Sequence, residues 1–196
     1  MPPLRSGIVL AGGRSTRFGS DKLAASIDGV PLVRRAIDAL ATVTDGVIVV
    51  LAPGVEREDL PPDVTVVHDM QEGDGPLAGL HTGLLAAVRT DQVVVAGGDM
   101  PELQPPVLRL LLDTLDDAGV DAAALADGDR PRPLPVALRT WPAADAVHTL
   151  LHAGRRRLRD ALDALRTAVI DEATWTALDP GRLTLRDIDE PGDLSG

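Results

Sequence analysis

Gly7-Ile8-Val9-Leu10-Ala11-Gly12-Gly13-Arg14-Ser15-Thr16-Arg17-Phe18-Gly19-Ser20-Asp21-Lys22 is an apolar run that stops on two glycines and ends on a lysine. A short continuous apolar run bounded by glycine reads as a buried strand, here Gly7–Leu10. Glycines at 12 and 13 let the backbone approach a ligand closely, and successive N–H groups in such a turn can cradle phosphate oxygens. Lys22 is the only lysine; the other basic residues are eighteen arginines, from a total of 19. Lysine offers a compact point charge on a flexible stem where arginine offers a planar fork. Its retention beside a glycine loop points to a phosphate. Arg14 and Arg17 add charge-assisted donors to the same loop. The segment is neither a Gly-x-Gly-x-x-Gly dinucleotide fingerprint nor a Walker loop, since no Gly-Lys-Ser/Thr follows. A tight turn with solvated charges is the other use of these residues.

Working outward, short apolar runs alternate with helical patterns, which is how βαβ units and a mostly parallel sheet are written. The expected strands are Gly7–Leu10, Val47–Leu51, Val64–His68, Val93–Ala96, Ala122–Ala126, Pro135–Leu138 and Ala168–Ile170. The expected helices are Leu32–Thr42, Leu77–Arg89, Pro105–Ala118, Ala143–Ala153 and Leu158–Leu165, with Pro31 suited to a first helical position. The fold class is α/β, a three-layer Rossmann-like domain with a mainly parallel sheet, expected as one domain over residues 1–196. Open parallel sheets bind ligands beyond the carboxyl ends of their strands. That rule selects the loops after residues 10, 68 and 96.

Composition narrows the partners. Apolar residues make up 44% of the 196, yet only Phe18, Trp141 and Trp175 are aromatic, so the core rests on Val, Leu, Ile and Ala. A net charge of −11 argues against nucleic acid and anionic membranes, whose phosphates would be repelled over most of the surface. Any phosphate ligand is then small and locally held. Cysteine is absent, which excludes disulfides and thiolate metal sites. The apolar opening is too short for a signal-peptide core or a membrane span, and a cytoplasmic location is expected.

Three further clusters bear on chemistry. Val93-Val94-Val95-Ala96 leads into Gly97-Gly98-Asp99-Met100-Pro101, and a carboxylate just past a buried strand can reach Mg²⁺ on ligand phosphates. The same Asp99 could instead cap the next element. Asp187 and Asp189, two apart on an extended segment, would point the same way, and either could add a second carboxylate. The alternative is a solvated acidic tail. Arg155, Arg156, Arg157 and Arg159 form the densest basic run. They are read as a solvated helix start paired with Asp160 and Asp163, with an anionic acceptor as the competing use. His68, His81, His148 and His152 lack zinc-ligand spacing and are read as structural.

The opening segment followed by Gly29-Val30-Pro31-Leu32 resembles the signature of the nucleotidyltransferase family that includes molybdenum cofactor guanylyltransferase, the molybdopterin-guanine dinucleotide biosynthesis protein A group. Gly75-Pro76-Leu77-Ala78-Gly79, Gly98-Asp99-Met100-Pro101 and Asp187-Ile188-Asp189-Glu190-Pro191-Gly192-Asp193-Leu194 are similar to that family's later motifs, in the same order. The resemblance implies an enzyme that joins GTP to the phosphate of molybdopterin, with Mg²⁺, and with transient contacts to proteins that deliver or receive the cofactor. It implies nucleotide contacts at Leu10, Ala11, Gly12, Gly13, Lys22, Asp69, Pro76, Leu77, Gly79 and Asp99. Catalytic roles fall on Arg17, Lys22 and Asp99, and metal ligation on Asp99 and Asp189. Asp69 would take guanine N1 and N2 donors or a ribose hydroxyl. The family also places an asparagine near the end of the second strand; this chain has none, and Leu51-Ala52-Pro53 stands there. A cytidylyltransferase on the same pterin, a relative with another phosphate acceptor, and a non-catalytic GTP-binding module remain alternatives.

Overall fold

The computed structural model describes residues 3–12, 22–69, 75–188 and 190–194. In chain order the strands and helices are β1 (Arg5–Ala11), β2 (Ser26–Ile27), β3 (Val30–Pro31), α1 (Leu32–Ala41), β4 (Gly46–Leu51), β5 (Thr65–His68), α2 (Pro76–Ala86) and β6 (Gln92–Gly97). They continue with α3 (Pro105–Ala118), β7 (Ala122–Asp127), β8 (Arg130–Arg139), α4 (Thr140–His152), α5 (Leu158–Ala164), β9 (Thr167–Ile170) and α6 (Glu172–Thr176). One seven-stranded sheet has the order β5-β4-β1-β6-β8-β7-β9. β1 pairs in parallel with both β4 and β6, β4 with β5, and β7 with β9. β8 alone runs against its neighbours β6 and β7. The sheet is therefore mainly parallel, and helices on both of its faces make the fold three-layer.

The central strands β1, β4 and β6 bury both faces, and alternation sorts their side chains into two cores. Val9, Val49, Val94 and Ala123 join the stripes of α1 and α3 on one face. Ile8, Val50, Val95 and Ala124 meet α2, α4 and α5 on the other. Helix α3 shows why the pattern was readable. Val107, Leu108, Leu111, Leu112 and Leu115 recur at helical spacing and are buried. Pro105 opens the helix, and Gly119 closes it at φ 58°, a left-handed conformation glycine adopts without steric cost.

Several expectations need correcting. Pro31 precedes α1 as its N-cap and pairs in a two-stranded hairpin, β2 with β3, rather than opening the helix. β8 is ten residues long, not four. Its first half, Arg130-Pro131-Arg132-Pro133, carries no apolar run, yet it pairs with β7 across a turn at Gly128. Prolines 131, 133 and 135 remove N–H groups from the same side of the strand, and ladder pairing with β6 reaches only Val95 opposite Val136. Helix α4 begins at Thr140, three residues earlier than expected, and the short α6 had no periodic stripe to announce it. Among the described residues no helix is long and apolar enough to cross a membrane.

Candidate nucleotide site

The carboxyl ends of β1, β4, β5 and β6 all lie on one rim of the sheet, because those strands run parallel. Leu10 and Ala11 end β1, and there the loops become cross-linked. The Gly98 N–H donates to the Leu10 carbonyl at 3.0 Å. A Cβ on Gly98 would lie 3.2 Å from Leu23 Cδ2 and 3.5 Å from the Ala11 Cβ. The turn after β6 is thus pressed against the end of β1 and against the short 3-10 turn Lys22–Ala24. Leu23 is buried in the core between these elements, which brings the backbone of Lys22 to the same rim.

The β5 end is tied in separately. The Asp69 N–H donates to the Leu51 carbonyl at 2.9 Å, and the Asp69 carboxylate accepts from the Thr82 hydroxyl of α2 at 3.3 Å. Gly79 sits between them: its Cβ position lies 3.8 Å from Asp69 Oδ2, Leu10 Cδ2 and Val50 Cγ1. Gly12, just past β1, stands over the end of β4, with Ala52 N at 3.4 Å from its Cβ position. Leu10, Ala11, Gly12, Asp69, Leu77, Gly79 and Asp99 are therefore gathered on one edge. Gly13, Arg14, Arg17 and Asp189 lie outside the described residues.

The C-terminal segment reaches the same place. The Ile188 N–H donates to the Asp99 carbonyl at 3.0 Å, and Ile188 is fully buried. Asp187 turns its carboxylate toward Arg132, with Oδ1 3.7 Å from a guanidinium nitrogen. Of the two candidates for the second metal carboxylate, Asp187 thus faces a cation. The Asp99 carboxylate curls back over Gly97, where a Cβ would run into its Oδ1. That dependence on Gly97 was not visible in the sequence beyond the paired glycines after a strand.

A second feature escaped sequence reasoning because a backbone atom carries it. Helix α2 starts at Pro76 behind Gly75, whose φ is +80°. Its first N–H groups have no partner within the helix. The Arg156 carbonyl accepts from the Leu77 N–H at 3.3 Å and lies 3.0 Å from the Cβ position of Gly75. The basic run therefore packs on the Gly-Pro-Leu-Ala-Gly loop. It is anchored by an ion pair between Arg155 and the buried Asp160, and Asp160 also closes a capping box with Arg157 at the start of α5. The Arg155 hydrogen bond holds the Asp160 carboxyl below the ordinary carboxylate range, against the opposing effect of burial. Replacing Gly75 by alanine forces a left-handed backbone onto a β-carbon and crowds a carbonyl oxygen. The expected loss is about 1–2 kcal/mol in urea unfolding. An unchanged midpoint would contradict this packing.

Behind the rim, His81 of α2 stacks on His148 of α4 at 5.5 Å between ring centroids, and His148 on His152 at 4.2 Å. The His152 Nδ1 lies 3.0 Å from the His148 carbonyl. Among the described residues no three side chains are arranged to hold a metal. Burial, then the charges of His148 and His152, lower the His81 pKa from 6.5, with Asp69 pulling the other way. The folded chain thus binds fewer protons at this site than the unfolded chain just below pH 6.5. Stability from His81 is complete above that value and is lost as pH falls toward the lowered one. Urea midpoints measured from pH 7.5 down to 5 are expected to fall less steeply in His81→Gln than in the parent chain.

Residues 7–169 match the model of the MobA-like NTP transferase domain. Over 97% of its length the chain is 34% identical to a probable molybdenum cofactor guanylyltransferase of Natronomonas pharaonis, covering 95% of that protein. A protein of the same description from Chloroflexus aggregans is 33% identical, over 97% of this chain and 92% of its own. The crystal structure of molybdopterin-guanine dinucleotide biosynthesis protein A from Archaeoglobus fulgidus superposes with a TM-score of 0.81 at 26% identity, over 97% and 95% of the two chains. The chain is therefore a member of the MobA-like NTP transferase family.

Proposed function

We propose that the protein transfers GMP from GTP to the phosphate of metal-bearing molybdopterin, making molybdopterin guanine dinucleotide and releasing pyrophosphate. A phosphate oxygen of the acceptor attacks the α-phosphorus of GTP in line with the departing pyrophosphate. No covalent enzyme intermediate is required, so the burden on the protein is positioning and charge neutralisation. The observation that carries this reading is the junction at Leu10, where Gly98 bonds its carbonyl and Gly79 lies beside its side chain.

In this reading the amides of Leu10, Ala11, Gly12 and Gly13, with Arg17, hold the triphosphate. Lys22 offsets charge on the reacting phosphate. Pro76, Leu77 and Gly79 line the nucleotide's path, and Asp69 accepts hydrogen bonds from the guanine N1 and N2 donors in place of the missing asparagine. Asp99, with Asp189, would hold Mg²⁺. The donor set fits that ion, which usually takes one or two carboxylates and completes its shell with phosphate oxygens and water. When bound, the metal supplies charge neutralisation at the α- and β-phosphates.

The test incubates the protein with each of the four nucleoside triphosphates, Mg²⁺ and molybdopterin, and identifies the product by mass spectrometry. The guanine dinucleotide is expected with GTP. A cytosine dinucleotide alone would overturn the choice of base. Bound GTP without pyrophosphate release, whatever the acceptor, would overturn the enzymatic reading.

A further inference from the structure

The sheet order divides the rim. The nucleotide elements β5, β4 and β1 lie on one side of the Asp99 turn, and β8 and β7 lie on the other. An acceptor attacking from the side opposite the departing pyrophosphate must approach over β8. Arg132 of β8 reaches the Asp99 turn through the C-terminal segment: its guanidinium lies 3.7 Å from Asp187, and the next residue, Ile188, donates its N–H to the Asp99 carbonyl at 3.0 Å. Arg132 is therefore a cation of β8 placed beside the metal turn.

Its bonding sets it apart from its neighbours. Arg182 holds Asp127 at 2.6 Å, and Arg186 holds Glu102 at 3.0 Å and the Asp193 carbonyl at 2.7 Å. Arg132 lies 3.7 Å from Asp127 and 3.7 Å from Asp187, beyond hydrogen-bond reach of either. It donates one hydrogen bond, to the Leu185 carbonyl at 3.2 Å, and its Nε is buried with no hydrogen-bond partner. A guanidinium carries five donors in a fork matched to phosphate. Here most of them are not engaged by hydrogen bonds, on a rim otherwise lined by Asp99, Asp127 and Asp187. Without a cation there, those carboxylates would repel a phosphate monoester.

We propose that Arg132 receives the phosphate of the acceptor, delivering it to the α-phosphorus; the inference rests on the guanylyltransferase reading above. The test titrates molybdopterin, and separately its dephosphorylated form, into the parent chain, Arg132→Gln and Arg132→Lys by equilibrium dialysis. Loss of one charge-assisted contact is expected to raise the Kd of Arg132→Gln for molybdopterin about tenfold or more, with Arg132→Lys recovering part of it. The dephosphorylated ligand should bind the parent and Arg132→Gln alike. A role confined to holding the C-terminal segment would instead weaken both ligands equally and would overturn the proposal. Equal Kd values for molybdopterin, in a protein that still makes the guanine dinucleotide, would overturn the phosphate role alone. A parent chain that binds molybdopterin through Arg132 but transfers no GMP would support the anion site and overturn the reaction. No binding of molybdopterin by the parent would overturn both.

Discussion

Asp99→Ala is expected to fold normally and to lose turnover by a factor on the order of 10²–10³, the usual cost of removing one electrostatic contact to the reacting group. The fold should survive because backbone atoms tie this turn to the rest of the rim. The Asp99 carbonyl accepts from Ile188, and the neighbouring Gly98 N–H bonds Leu10, and neither contact needs the side chain. Met100 and Leu103, which anchor the turn in the core, are untouched. Steady-state pyrophosphate release and a urea unfolding curve, measured together, separate the two effects. Lys22→Ala should behave in the same way through loss of charge at the phosphate. Near-parental turnover in either variant would refute the role assigned to that residue.

Gly97→Ala should cost activity on the order of 10²-fold through geometry alone, since displacing a catalytic group by about 1 Å is enough for a loss of that size. The added methyl group would occupy the space of the Asp99 Oδ1 and approach Met100 Cγ at 3.4 Å. A carboxylate at the end of a short side chain can rotate away, so the chain relieves the clash by moving the functional atom rather than by unfolding. Gly98→Ala provides the comparison. Its methyl group would meet Leu23 and Ala11, both apolar, and leave the carboxylate where it is. Turnover should therefore fall more in Gly97→Ala than in Gly98→Ala, with Mg²⁺ dependence shifted only in the former. The reverse order would mean that the carboxylate position is not what the paired glycines protect.

Both variants concern a part of the protein whose strand was easily read and whose contacts were not. Val93–Ala96 is legible because both faces of β6 are buried, which leaves an uninterrupted apolar run. Helix α3 is legible because its stripe, its opening proline and its closing glycine agree. The first half of β8 is hidden by Arg130, Pro131, Arg132 and Pro133, which look like a loop until β7 pairs with them. The β2–β3 hairpin is two residues a side, too short for any periodicity. At the site, strand direction brings Leu10, Asp69 and Asp99 to one edge, and Gly79 of α2 packs beside Leu10 and Asp69. What residue types could not show are contacts made by backbone atoms, the Arg156 carbonyl on Leu77 and the Asp99 carbonyl on Ile188. Nor could they show that Asp187 faces Arg132, since that pairing joins residues 55 apart through tertiary structure.

The most direct measurement is a crystal structure of the protein with GTP and Mg²⁺. The triphosphate should lie across the ends of β1 and β6, with the Lys22 ammonium on a phosphate oxygen and the Asp99 carboxylate on the metal. A nucleotide seated elsewhere, with both of those groups turned to solvent, would contradict the assignment of this rim as the site of transfer.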